Sequence, residues 1–169
     1  MTAGSRQCGV TLLELVICVA VIGLMAAVAV PSLHHWLASE RLVADTNRLV
    51  GALTLARTTA LTQRQQVRVL VLDCGERWRL EVLAGDVDAV GCQAMPAANG
   101  DVLMVDEASR TDGTQVSSGG VSFDLMGRLD ECSYGSPCRW QLRGTGGEGR
   151  WVSVEPSGVV RSGDEAGAA

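Results

Sequence analysis

The chain has 169 residues, which suffices for one domain beyond any anchor segment. All 14 basic residues are Arg, and 19 acidic residues bring the net charge to −5. Nine Arg and 16 acidic residues fall in residues 67–169, so this part carries −7, which argues against a general nucleic-acid-binding surface.

The first predicted element is an apolar run over residues 10–30. As a helix these 21 residues would extend about 31 Å, which matches the hydrocarbon core of a bilayer. Glu14 is the one charged side chain in the run, and a carboxylate there costs roughly 2.5 to 3.5 kcal/mol on insertion scales. The run predicts a transmembrane helix in which Glu14 requires a partner.

Cleavage between Gly9 and Val10 would supply such a partner. The new α-amino group would lie one helical turn from Glu14, at one end of an apolar rod. A carboxylate of one subunit and the ammonium of its neighbour would then pair inside a bundle of rods and set their axial stagger.

The stretch over residues 9–15, Gly-Val-Thr-Leu-Leu-Glu-Leu, resembles the class III signal of type IV prepilins and type II secretion pseudopilins. The resemblance implies that residues 1–9 are a leader and that the prepilin peptidase cuts after Gly9. It also implies that the same enzyme N-methylates Val10, where the family usually has Phe, and that Glu14 governs entry into a filament. Gly23 and Pro31 match the family's mid-helix Gly and distal Pro.

Two other interpretations of this segment stay open. In an ordinary secretory signal, Arg6 would form the n-region and residues 27–29, Ala-Val-Ala, the cleavage site. Glu14 inside the apolar region and Pro31 just beyond that cut both argue against it. In a plain single-span anchor, Glu14 would reach the membrane interface. Sequencing of the mature N-terminus would distinguish the prepilin, secretory-signal and single-span-anchor interpretations.

Beyond Pro31 the helical pattern resumes and forms an amphipathic stem over residues 31–66. Apolar and small residues recur at steps of three and four, at Leu42, Thr46, Leu49, Leu53, Ala56 and Ala60. We predict one long helix over about residues 11–65, kinked at Pro31 because proline removes a backbone donor. The stripe is expected to pack on the chain's own sheet.

After residue 66 the period changes to two, which predicts a β-rich head over residues 67–161. Residues 67–72 and 78–83 flank a turn and predict a hairpin. Further short strands are expected at 121–125, 139–142, 151–154 and 158–161, and residues 102–105 are a short apolar stretch. Residues 162–169 are expected to be a flexible tail. The fold class is α+β, with a long N-terminal helix on an antiparallel sheet.

Parts of the head resemble the GspH/FimT/FimU branch of minor pseudopilins and minor pilins. The matching stretches are residues 47–60, 67–72, 123–128 and 152–158, whereas residues 84–120 match no known pattern. The resemblance implies a minor pseudopilin of a type II secretion system, or alternatively a type IV minor pilin. It implies a filament of other pilins and an inner-membrane assembly platform as partners. Arg6 before the apolar run favours a cytoplasmic N-terminus and a periplasmic head on a single-pass inner-membrane protein.

Four cysteines lie in the head, Cys74, Cys92, Cys132 and Cys138, and they allow three disulfide pairings. The short loop between Cys132 and Cys138 contains turn-forming residues and favours that pair. By remainder, Cys74 would then join Cys92. The spacing lacks a CxxC pair, so we expect no zinc site.

No catalytic constellation is evident, and we expect neither an enzyme nor a cofactor nor a metal. His34 and His35 face about 100° apart on a helix and cannot chelate one ion together. Some FimT-type pilins bind DNA through a C-terminal Gly-Arg-x-Arg stretch, whereas this chain has Gly-Val-Val-Arg ending at Arg161. Arg161, helped by Arg139, Arg143 and Arg150, predicts at most weak DNA contact, so we do not expect nucleic acid as a partner.

Overall fold

The computed structural model describes residues 11–92, 101–110 and 113–165, apart from a few side chains within the helix, among them those of Pro31, His34 and His35. Helix α1 spans Leu12–Gln63, close to the predicted bounds of 11 and 65. The chain divides into two compact units, Met1–Leu37 and Ala38–Ala169. α1 continues through Pro31 without a break, and the kink predicted there stays a prediction.

Thr11 caps the N-terminus of α1. The backbone N–H of Glu14 donates to Thr11 Oγ1 at 3.2 Å, and that of Leu15 donates to the Thr11 carbonyl oxygen, also at 3.2 Å. These bonds satisfy amides that the first helical turn leaves without partners. Among the residues that the structure describes, no helix has the length and hydropathy needed to cross a membrane.

The second half of α1 is amphipathic as predicted. All six residues of the predicted stripe are at most 2% exposed: Leu42, Thr46, Leu49, Leu53, Ala56 and Ala60. The Thr46 hydroxyl donates to the Leu42 carbonyl oxygen at 2.7 Å, so this buried polar group is satisfied within the helix. The stripe therefore packs in the core of the chain's own head.

The first sheet, sheet A, has five antiparallel strands in the order β3-β2-β1-β5-β6. Their bounds are β1 Val67–Asp73, β2 Arg77–Ala84, β3 Val102–Ser109, β5 Gly119–Phe123 and β6 Leu129–Cys132. The predicted hairpin is confirmed, with Val69 opposite Val82. The apolar stretch at 102–105 is only the first half of β3, and β5 starts and ends two residues before the predicted 121–125.

The second sheet, sheet B, has the order β4-β7-β8-β9. Its strands are β4 Gln115–Val116, β7 Cys138–Arg143, β8 Gly149–Val154 and β9 Val160–Asp164. The expected flexible tail is wrong over residues 162–164, because Ser162 and Gly163 pair with Val152 and Trp151 of β8. Residues 166–169 lie outside the described part.

One core cluster joins α1 and the two sheets. It contains buried side chains from α1, sheet A and sheet B, of which Leu49, Trp78, Phe123 and Trp140 are the largest. Alternate residues of β7 are buried and exposed, as expected for a strand with one face on the core. The head is therefore an α+β domain whose two sheets share the amphipathic part of α1.

Arg57 connects α1 to both sheets at one point. Its Nε donates to the carbonyl oxygen of Gly127, in the β5–β6 turn, at 3.2 Å. Its Nη2 donates to the carbonyl oxygen of Ser157, in the β8–β9 turn, at 3.3 Å. These are charge-assisted bonds, which are stronger than neutral ones.

The head contains two disulfides. Cys74 is joined to Cys92 and Cys132 to Cys138, which is the pairing that the short loop favoured. The first bond attaches the segment after β2 to the β1–β2 turn, and the second closes the loop between β6 and β7. Each bond therefore restrains a segment that lacks regular structure.

Candidate functional site

The N-terminal part of α1 presents apolar side chains to its surroundings. Its exposed large hydrophobic residues include Leu12, Leu13, Leu15, Val16, Ile17, Val19, Ile22, Leu24 and Met25. Glu14 is exposed in the same stretch and is the one charged residue from Thr11 to Ser39. Such a surface is stable only when lipid or other protein covers it.

The chemistry at Glu14 depends on its neighbours in an assembly. A carboxylate among apolar side chains needs a cation within contact distance, because an unpaired buried charge is strongly destabilising. Gly9 and Val10, which the sequence analysis assigns to cleavage and N-methylation, lie outside the described residues. The predicted pair between Glu14 and a processed amino group stays a prediction.

The segment after β2 is held by a buried ion pair. Arg79 and Glu81 are 3% and 0% exposed, and Arg79 Nε lies 3.1 Å from Glu81 Oε1. The Glu81 carboxylate also accepts the backbone N–H of Val90 at 2.9 Å and of Gly91 at 3.0 Å. With the disulfide at Cys92, these bonds fix residues 85–92, a part of the chain whose sequence predicted no structure.

The β5–β6 turn is organised by Asp124. Its Oδ1 accepts the backbone N–H groups of Met126 and Arg128, each at 2.8 Å, and its Oδ2 lies 3.1 Å from Arg128 Nε. The backbone hydrogen bond from Arg128, followed by that from Met126 and the Arg128 guanidinium, lowers the pKa of Asp124 below its ordinary value of 3.8. This turn also ends β5, which explains why the strand stops at Phe123.

Strand alternation separates the arginines that the sequence analysis grouped. Arg139, Arg143 and Arg161 share the face of sheet B that points away from the core, which we call the outer face. Arg150 has the opposite parity and pairs with Asp164 at 2.6 Å. The grouping of Arg150 with the others is therefore wrong, because neighbouring strand residues face opposite ways.

Two of the three outer-face arginines already have partners. Arg161 Nε lies 2.5 Å from Glu155 Oε1, and the Arg139 guanidinium lies 4.6 Å from the centroid of the Trp151 ring. The ion pair reduces the positive charge that Arg161 offers to a phosphate. The weak DNA contact proposed for Arg161 is not tested by this geometry.

The described residues do not contain a group of three or more His, Cys, Asp and Glu side chains placed to hold a metal ion. The side chains of His34 and His35 lie outside the described part. Cys18 is an exposed free thiol on the apolar part of α1. Reasoning from the sequence did not find the roles of Arg57 and Glu81, because both bind backbone groups that only the folded chain brings close.

Two family models match the chain. The model for the prokaryotic N-terminal methylation motif matches residues 4–30, and that for the type II transport protein GspH matches residues 45–158, which is more than half of the chain. No curated protein sequence matches significantly.

Among solved structures, the chain is similar to the type IV minor pilin FimU of Pseudomonas aeruginosa strain PAO1. The two share 16% sequence identity with a TM-score of 0.52, over 78% of this chain and 97% of that one. This similarity shows a common fold, a long N-terminal helix with antiparallel sheets. Together with the GspH match, it identifies the chain as a pilin-like protein that belongs to the GspH family.

Proposed function

We propose that this chain is a minor pseudopilin of a type II secretion system, a structural and non-catalytic subunit of the periplasmic pseudopilus used in protein export. The GspH match over residues 45–158 supports this assignment. The main support for a role in a filament is the exposed apolar surface of the N-terminal part of α1, in which Glu14 is the one charged side chain. That surface fits a rod that packs among similar rods.

In this proposal the prepilin peptidase removes residues 1–9 and N-methylates Val10, and the methylation-motif match over residues 4–30 supports that step. The apolar part of α1 is held in the inner membrane with the head in the periplasm until assembly. At the assembly platform, the amino group of a neighbouring subunit pairs with Glu14, and the rod leaves the lipid. The paired charge then fixes the axial position of the subunit.

A second candidate is a minor pilin of a type IV pilus. It is favoured by the similarity to FimU, which is itself a type IV minor pilin. The N-terminal chemistry is the same in both candidates, so the difference lies in the partners that the head meets. Weak DNA contact at Arg161 belongs to this second candidate.

The test of the filament role uses Glu14→Ala in the host, with Glu40→Ala as the matched control. Glu40 is also exposed on α1 but follows the apolar stretch. We expect Glu14→Ala to abolish co-purification with the filament while the protein stays in the carbonate-washed membrane fraction. Glu40→Ala is expected to assemble normally. Normal assembly of Glu14→Ala would refute the role of Glu14.

A gene deletion separates the two candidates. Loss of secreted proteins from the medium, with surface pili intact, is expected for a pseudopilin. Loss of pili with normal secretion would instead identify a type IV minor pilin. N-terminal sequencing of the purified protein is expected to give N-methylated Val10, and Met1 or Val30 there would exclude prepilin processing.

A further inference from the structure

Within the head, α1 has an exposed face without charged side chains. This α1 face runs over residues 51–62 and consists of small, hydroxyl and leucine residues, namely Gly51, Thr54, Leu55, Thr58, Leu61 and Thr62. Arg57 is the one charged residue in this stretch, and its guanidinium is committed to the carbonyl oxygens of Gly127 and Ser157. The solvent side of a surface helix usually carries charged and polar side chains. The composition of the α1 face therefore indicates contact with something other than water.

The threonines of the α1 face have their hydroxyl groups satisfied within the helix. Thr54 Oγ1 donates to the Val50 carbonyl oxygen at 2.7 Å. Thr58 Oγ1 and Thr62 Oγ1 each donate to the carbonyl oxygen four residues earlier, at 2.9 Å. A hydroxyl that already has such a partner can lose its water without leaving an unsatisfied polar group. The α1 face can therefore be buried against an apolar partner.

The exposed large hydrophobic side chains of the head are concentrated in the same region. In the described part of the head they are Leu55, Leu61, Leu125 and Met126. Leu61 packs on Gly127, because a Cβ at Gly127 would lie 2.7 Å from Leu61 Cγ. Leu125 and Met126 directly precede Gly127 in the β5–β6 turn, where polar residues are usual. The α1 face, Leu125 and Met126 together form one apolar surface, the docking surface.

The β5–β6 turn holds Leu125 and Met126 in a fixed arrangement. The Met126 backbone N–H donates to Asp124 Oδ1 at 2.8 Å, and Arg57 Nε donates to the Gly127 carbonyl oxygen at 3.2 Å. A surface that is ordered in advance loses little conformational entropy when a partner binds. Two apolar side chains on such a turn are suited to anchor a partner.

Gly51 points to a partner outside the fold. It lies in the interior of α1, where glycine destabilises a helix relative to alanine. Apart from the helix itself, no described atom lies within 4 Å of the position that a Gly51 Cβ would take. The head therefore has no need of a glycine here, whereas a second helix that approaches closely would need one.

We propose that the docking surface binds residues 12–30 of a second copy of this chain, the apolar N-terminal part of α1. Those residues expose large hydrophobic side chains that need cover, and their one charge, Glu14, lies near their start. Neither surface brings a charge to the rest of the contact, so no ionic group is buried without a partner. Residues 12–30 and 51–62 belong to the same helix, so their contact requires two copies.

The spacing of the α1 face suits a helix as the occupant. Gly51, Thr54, Thr58 and Leu61 follow one another at steps of three, four and three, which is the spacing of a seam between two packed helices. The contact joins different surfaces of two copies, and contacts of that kind build open arrays instead of closed dimers. The inference thus rests on the proposed filament role and names a surface of the head that takes part in it.

The test is photo-crosslinking of the full chain in the host, with p-benzoylphenylalanine in place of Thr58, which is exposed. We expect irradiation to give a covalent dimer, in which mass spectrometry of the peptides finds the second copy attached through residues 12–30. The same photoreactive residue in place of Gln141, which is exposed on sheet B, is the matched control. It is expected to give no such dimer.

Two substitutions test the surface itself, with the photoreactive residue in place of Leu55. Thr58→Lys should lower the dimer yield about tenfold, because the lysine would be buried without a partner. Gln141→Lys adds the same charge elsewhere and should change the yield less than about twofold. Gly51→Leu should lower the yield and yet raise the urea midpoint of the head, because leucine favours the helix but fills the space of the second one.

Attachment through residues 38–169 of the second copy, attachment to a different protein, or the absence of any dimer would each overturn the inference. An unchanged yield in Thr58→Lys would do the same. The outcome is separable from the filament test at Glu14. Normal assembly of Glu14→Ala would refute the role of Glu14 and leave the dimer unaffected, whereas a filament that depends on Glu14 without this dimer would refute the docking surface alone.

Discussion

Gly158 packs directly against the carbonyl oxygen of Gly127, and a Cβ on Gly158 would come 1.9 Å from that oxygen. The contact joins the β8–β9 turn of sheet B to the β5–β6 turn of sheet A, and Arg57 of α1 binds the same oxygen. Gly158 also has a φ of +80°, which L-residues with side chains rarely adopt. The two sheets therefore meet where only glycine fits.

Gly158→Ala should destabilise the head by about 2 kcal/mol or more, because it combines an unfavourable φ with a collision against backbone. Gly75→Ala is the matched control, since Gly75 has the same φ of +80° and open space around its Cβ position. We expect that variant to lose about 1 kcal/mol, from the backbone conformation alone. Urea unfolding of both variants gives the comparison, and equal losses would show that the close contact relaxes freely.

Glu81→Gln should destabilise the head by about 2 kcal/mol, because it removes the fully buried one of the two carboxylates that pair with the Arg79 guanidinium. The Glu107 side chain also contacts Arg79 but is 34% exposed, so Glu107→Gln should cost less than about 1 kcal/mol. Urea unfolding measures both. Limited proteolysis should find residues 85–92 cut faster in Glu81→Gln, and unchanged cleavage would contradict the role of Glu81 in holding that segment.

The two disulfides should contribute unequally to stability. Cys74 and Cys92 are 18 residues apart, whereas Cys132 and Cys138 are 6 apart. The chain-entropy model gives about 3 kcal/mol for the longer loop and about 2 kcal/mol for the shorter one. Paired Cys→Ser variants for each bond, compared by thermal unfolding, should reproduce that order. The reverse order would mean that the loops differ in native contacts more than in closure entropy.

The stability contributed by Asp124 should disappear in acid. Hydrogen bonds to its carboxylate lower its folded-state pKa below 3.8, so this contribution is complete above the unfolded value and is lost as the pH falls through the folded one. Asp124→Asn should therefore be less stable than the parent at neutral pH, and the difference should shrink below pH 3.8. Urea midpoints across a pH series test this. A difference that stays constant with pH would assign the effect to packing.

The long helix and the first hairpin were predictable because their signals are local. The stripe from Leu42 to Ala60 repeats with the helical period, and every member of it is buried. The turn between β1 and β2 follows directly in sequence, so pairing needs no distant partner. The N-terminal motif was likewise contained in a short stretch.

The missed strands depend on distant partners. β6 contains Asp130 and Glu131, which disfavour a strand locally, and it forms only by pairing with β5 at the edge of sheet A. The second half of β3 contains Asp106 and Glu107, and it pairs with Arg79 and Leu80 of β2.

Arg57 gives the head a mechanical property. Its guanidinium connects α1 to one carbonyl of each sheet, at Gly127 and Ser157. An axial pull on this part of the helix is therefore shared between two sheets at their junction, and neither sheet must bear it alone. The head would therefore resist shear between its two sheets at this point when α1 is pulled along its axis.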